Sequence, residues 1–193
     1  MRFQLYSTAL LITHCLTNTA LAESKTNNPM FGDKENQIMV HGGMSFRGKG
    51  FEKLYFGGIS YSQPDTFFRL PARNNLELGI FRGKNSKNDP TNKSFKDNVD
   101  LSQYDLNMFG ISKDVALLSG KNTYLTVGLG AYIKDNDTNR IGSKFTFGER
   151  LAVGYRFDSG IALELYARHF SNGSLTKENS GQNFAGLSVG YTF

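Results

Sequence analysis

Cysteine is all but missing from this 193-residue chain. The single one, Cys15, falls in an N-terminal stretch that reads as removable, so disulfide frameworks, thiolate metal sites and thiol nucleophiles are excluded from the remainder. Histidine is nearly as scarce, with only His41 and His169 beyond His14. Long apolar runs are absent too. The longest past residue 22 is Val115–Leu118, far short of the roughly 18 to 20 residues that a membrane-crossing helix needs. The 22 basic residues are interleaved with 17 acidic ones and form no block, which argues against a nucleic-acid partner. There is no Gly-x-Ser-x-Gly elbow, His-Glu-x-x-His pair or phosphate loop, and no metal site or cofactor is expected. Chemistry is left to hydroxyls, carboxylates, amides and two imidazoles.

What is present begins with a leader. Arg2, the apolar centre at Leu10, Leu11 and Ile12, and Ala20-Leu21-Ala22 are in the order of a secretory signal, which predicts a signal peptide over residues 1–22 and a single exported domain over 23–193. The rest alternates with period two. Ala185, Leu187, Val189, Tyr191 and Phe193 are apolar, with Gly186, Ser188, Gly190 and Thr192 between them. Similar rows run through Ile161–Ala167, Leu151–Phe157 and Leu125–Ala131, and weaker ones through 37–47, 51–62, 74–84 and 101–112. Eight long strands, apolar on one face and glycine-rich and polar on the other, predict an all-β, eight-stranded antiparallel outer-membrane barrel, since only a closed sheet spans lipid with its backbone satisfied.

A barrel of this size has room inside only for side chains. Glu77, Asp105, Asn107, Arg150, Arg156, Glu164 and Arg168 are assigned to a neutralising plug, and His41 to an inward hydrogen bond. With both chain ends periplasmic, segments 85–100, 134–142 and 171–181 lie outside the cell and Asp158-Ser159-Gly160 is a tight periplasmic turn. Segments 63–73 and 113–121 are long for that side, and a short helical turn is expected over Asp114–Leu118.

Parity singles out one place. His169 continues the outward row Leu163, Leu165, Ala167, with Ser171 after it, and Asn183 continues the outward row of the last strand. If Phe157 pairs with Ile161, Glu149 lies directly across from His169. A carboxylate, an imidazole and a hydroxyl gathered at the outer-leaflet level is a nucleophile–base–orienter arrangement, with Asn172 and Asn179 as nearby amides for an oxyanion. Read only as a strand end, His169-x-Ser171-Asn172-Gly173 is equally an interfacial turn.

The segment His169-x-Ser171-Asn172, followed by Asn179, a glycine and a final amphipathic strand, resembles the lipid A 3-O-deacylase (PagL) family; the spacing with Glu149-Arg150 and Gly160 agrees as well. The resemblance implies a metal-free serine esterase of the bacterial outer membrane, acting on lipid A of the outer-leaflet lipopolysaccharide, with a homodimer open as an assembly. It makes Ser171 the nucleophile, His169 the general base, and Asn172 and Asn179 the amides of the oxyanion site. Two positions depart. The family's acidic third member, fourteen residues after the histidine, is Asn183 here, and Ser174 stands where the family often has glycine. Glu149 is the candidate for the missing charge. The alternative is a non-catalytic structural or adhesive barrel, or an inactive family member.

Overall fold

The computed structural model describes residues 28–46, 54–83, 105–138 and 140–193; the leader and its cleavage site, and the whole 85–100 segment, lie outside them. The eight strands are β1 (Gln37–Ser45), β2 (Leu54–Phe67), β3 (Leu70–Gly83), β4 (Leu106–Ser119), β5 (Thr123–Lys134), β6 (Phe145–Arg156), β7 (Ile161–Ser171) and β8 (Gln182–Thr192). Each pairs with its neighbour in sequence, and β1 closes on β8 antiparallel, so no edge is left open.

Two connections are shorter than expected, because the strands run further. β2 and β3 meet at a two-residue turn, Phe68-Arg69, and the expected helical turn at Asp114–Leu118 is strand, with a bulge between Ala116 and Leu118. Phe68 (φ 47°) and Arg69 (φ 70°) both occupy the left-handed region. That is the two-residue hairpin turn matching strand twist, normally made by Asn-Gly. Here two bulky residues make it, which costs roughly 1–2 kcal/mol for each. With every turn on this side short, the loop-rich opposite end is extracellular and both barrel ends β1 and β8 start and finish at the periplasmic rim.

The lumen is stratified. At its middle Arg73 meets Asp114 at 2.7 Å and Glu164 at 2.9 Å, and Arg150 pairs with the same two carboxylates. Arg168 meets Glu77 at 2.8 Å, and the Tyr132 hydroxyl donates to the same carboxylate at 2.9 Å. His41 bridges Ser188 and Ser60 at 2.8 and 2.9 Å, the inward role expected of it. Toward the outside the lumen turns apolar: Phe56, Phe81, Phe170, Phe184, Leu106 and Met108 are buried together. This corrects the facing of β4. Leu106 and Met108 point in, so Asn107 points out, paired with Ile80, and its amide donates to Asp135 at 2.7 Å on the outer rim; Asp105 is exposed there and accepts the Gly83 N–H. Arg156 caps the periplasmic mouth, donating to Pro29 O at 3.0 Å, beside Met30 and Phe31, which plug that end.

The outer wall carries exposed apolar side chains along every strand, as a lipid-facing surface must. A polar cluster sits low on the outward face of β2–β4. Asp65 and Lys113 form an ion pair on the outward face, joined by Asn74, which donates to Asp65 at 3.0 Å. It lies beside a concavity of about 560 Å³ walled by Phe67, Phe68, Leu76 and Leu129.

Candidate active site

At the outer end of β7 the chain alternates strictly. Arg168 and Phe170 are buried in the lumen, while His169 and Ser171 are half-buried and face outward in the row begun by Ile161, Leu163 and Leu165. Phe170 anchors this end: its ring packs on Phe81 at 5.3 Å, Tyr132 at 5.5 Å and Phe56 at 6.0 Å. An aromatic lock on the inner face therefore fixes the strand on which the two outward polar groups stand.

The register gathers the rest. Glu149 of β6 is opposite His169, which is opposite Asn183 of β8, so the three share one row across adjacent strands. His169 Nδ1 is 2.8 Å from Asn183 Oδ1. An amide oxygen only accepts, so Nδ1 carries the proton and Nε2 is left with its lone pair. The imidazole is thus oriented by Asn183, while Glu149 is an exposed cross-strand neighbour. Ser171 closes the ladder opposite Phe147, and its carbonyl accepts the Thr146 hydroxyl at 2.7 Å, pinning the backbone of the strand's last residue.

The loop after Ser171 is organised by Asn172, which is completely buried. Its Nδ2 donates to Thr176 Oγ1 at 2.6 Å and to Glu178 O at 3.0 Å, and its Oδ1 accepts the Ser174 N–H at 3.0 Å. Its own N–H donates to Asn179 Oδ1 at 2.9 Å. Of the two roles open to this amide, shaping the site and completing the oxyanion hole, its hydrogen bonds go to the first. Gly173 (φ 62°) and Ser174 (φ 67°) form a tight turn closed by Leu175 N–H on Asn172 O at 3.2 Å. The left-handed backbone at Ser174 is one that glycine adopts without strain.

Four features escaped the sequence reading: Thr146, Gly181, the strap linking the β5–β6 and β7–β8 loops, and the wall concavity, which holds none of the site residues. The strap consists of an isolated bridge between Ile141 and Asn179, Gly142 N–H on Glu178 O at 2.9 Å and Gly181 N–H on Arg140 O at 3.4 Å. Only a glycine just before the last strand hinted at it. Among the described residues no group of three or more His, Cys, Asp or Glu is placed to hold a metal ion.

A closed eight-stranded barrel with an apolar outer wall, and with an oriented imidazole facing out at its extracellular end, defines an outer-membrane barrel with an enzyme-like constellation on its lipid side. The family described as "Lipid A 3-O-deacylase (PagL)" matches residues 27–192, and the chain belongs to that family. It is 30% identical over 78 residues to the lipid A deacylase PagL of Bordetella bronchiseptica, an alignment covering 39% of this chain and 44% of that protein; the chain thus matches under half the length of that curated relative. The crystal structure of the outer membrane enzyme PagL superposes with a TM-score of 0.53 at 15% identity, over 81% of this chain and 99% of that one, and shares the fold.

Proposed function

We propose that this protein is a serine esterase that removes the ester-linked 3-O acyl chain of lipid A in the outer leaflet. The observation that carries this reading is the outward-facing His169 whose Nδ1 is held 2.8 Å from Asn183, two residues before Ser171. With Nδ1 protonated, Nε2 accepts the Ser171 proton as Oγ attacks the ester carbonyl carbon. The tetrahedral intermediate collapses, the C–O bond to the sugar breaks, and the departing 3-oxygen takes the proton back from Nε2. Water then repeats the sequence on the acyl-enzyme, releasing the fatty acid and regenerating Ser171.

Asn183 orients the ring without supplying charge, and Glu149, in the same row, provides the countercharge for the imidazolium. Asn172 and Asn179 shape the loop that faces the oxyanion. The substrate is already in place: its chains lie along the same outer wall, where Leu165 and Leu187 are more than half exposed, so embedding the barrel in the membrane supplies the approach.

Mass spectrometry of lipid A from cells expressing the wild type and Ser171→Ala tests the reading. Loss of one ester-linked hydroxyacyl chain in the wild type alone is expected. Identical lipid A in both strains selects the alternative, a barrel without catalytic activity.

A further inference from the structure

Gly181 lies ten residues beyond Ser171, outside every pairing the parity argument used, yet it touches the imidazole. Its backbone is left-handed (φ 68°), and a Cβ built there would collide with His169 Cε1 and stand 3.0 Å from Nε2. The same Cβ would lie 3.2 Å from Phe170 O, so the strand backbone crowds it from the other side and the ring is what must turn. The backbone of Gly181 is itself held from the far side, by its N–H on Arg140 O, within the strap that joins the two loops. The ring is therefore gripped at two edges: Asn183 takes Nδ1, and Gly181 lies against the Cε1–Nε2 edge.

We infer that Gly181 is a positioning residue for the general base, and that the β5–β6 loop takes part in the site through it while contributing no reacting group. This rests on the reading of His169 as the base. Any side chain at 181 forces the ring to rotate about χ1 or χ2, which breaks the Nδ1 bond to Asn183 and displaces Nε2 from the position that bond sets. A left-handed backbone alone would explain a glycine; the contact with the ring is what ties it to the chemistry.

The test is ¹⁵N NMR of the histidine side chains in the full-length protein, refolded in micelles, with His41 in the lumen as internal reference. In Gly181→Ala the His169 ring signals shift and its Nδ1–H resonance is lost, while those of His41 stay. For lipid A deacylation, kcat falls at least tenfold and KM stays within twofold. Gly160→Ala controls for strain, since Gly160 (φ 90°) is also left-handed but lies in the opposite turn; its His169 signals match the wild type. Gly142→Ala probes the strap with Gly181 intact, because a Cβ there would meet Glu178 at 2.9 Å, and it shifts His169 in the same direction. Gly142→Ala also decides the matter if Gly181→Ala fails to regain the heat-modifiable folded form. Unmoved His169 signals in the folded glycine variants of the strap overturn the inference. The ring signals do not depend on turnover, so they still decide it if Ser171→Ala continues to deacylate and the esterase reading fails.

Discussion

His169 is served by an amide where the family resemblance leads one to expect a carboxylate, and the difference is one of charge rather than geometry. An amide oxygen at 2.8 Å fixes the tautomer as well as a carboxylate would, but leaves uncompensated the positive charge that the proposed mechanism forms on the ring. Glu149 sits one strand away in the same row and can lend that charge across space. Two outcomes follow at this scale. Glu149→Gln lowers kcat by about tenfold, the rate equivalent of about 1.4 kcal/mol in the barrier, with little change in KM. Asn183→Glu raises kcat and, combined with Glu149→Gln, erases most of that mutant's loss. Measured deacylation rates of the two single variants and the double variant check this; if Glu149→Gln costs as much in the Asn183→Glu background as in the wild type, Glu149 does not share the role of Asn183.

At the scale of the strand, the outer end of β7 is useful because its two faces do different work. Outward, it presents His169 and Ser171; inward, Phe170 and Arg168 tie it into the lumen. Phe170 sits at the centre of the aromatic cluster with Phe56, Phe81, Phe184 and Tyr132. Phe170→Ala removes that anchor and costs about 3–5 kcal/mol of stability. On the proposed mechanism it also lowers deacylation in molecules that remain folded, because the backbone carrying the proposed base and nucleophile loosens. A urea titration followed by heat-modifiable gel mobility reads the first effect, and initial rates in the folded fraction read the second. The tight turn at Phe68-Arg69 teaches a different lesson at the same scale. Turn residues are recognised by their tolerance of positive φ, and Phe and Arg have little. The sequence therefore spread that connection over 63–73, whereas the hydrogen-bond ladder carries β2 and β3 to within two residues of each other.

For the molecule as a whole, the buried charges lock the barrel's cross-section. Arg73 and Arg150 from β3 and β6 share Asp114 of β4 and Glu164 of β7, so four strands around the barrel are tied through its centre. Removing one cation leaves two buried carboxylates with too little countercharge. Arg73→Met is expected to destabilise by about 3–5 kcal/mol. Its outer-face geometry is unchanged, so the folded fraction keeps its lipid A deacylation rate. Folding midpoints and rates measured on the same preparation separate these effects, and a site-specific loss of rate at full stability contradicts the assignment of Arg73 to the lumen frame.

Period-two alternation, the tight turn at Gly160 and the outward parity of His169, Ser171 and Asn183 were legible in the amino acids, because facing along a strand is a local property. The pairing of Glu149 with His169 was also within reach, because a short turn fixes register by counting. Asp105 and Asn107 are the residues assigned to the wrong face, since they look like lumen residues until the outer lumen proves to be aromatic. Which of Asn183 and Glu149 holds the imidazole, which amide of Asn172 is spent on the loop, and the approach of Gly181 to the ring were decided only when the sheet closed and two loops met across its rim. Those contacts join residues far apart along the chain, and no spacing in the sequence encodes the distance between them.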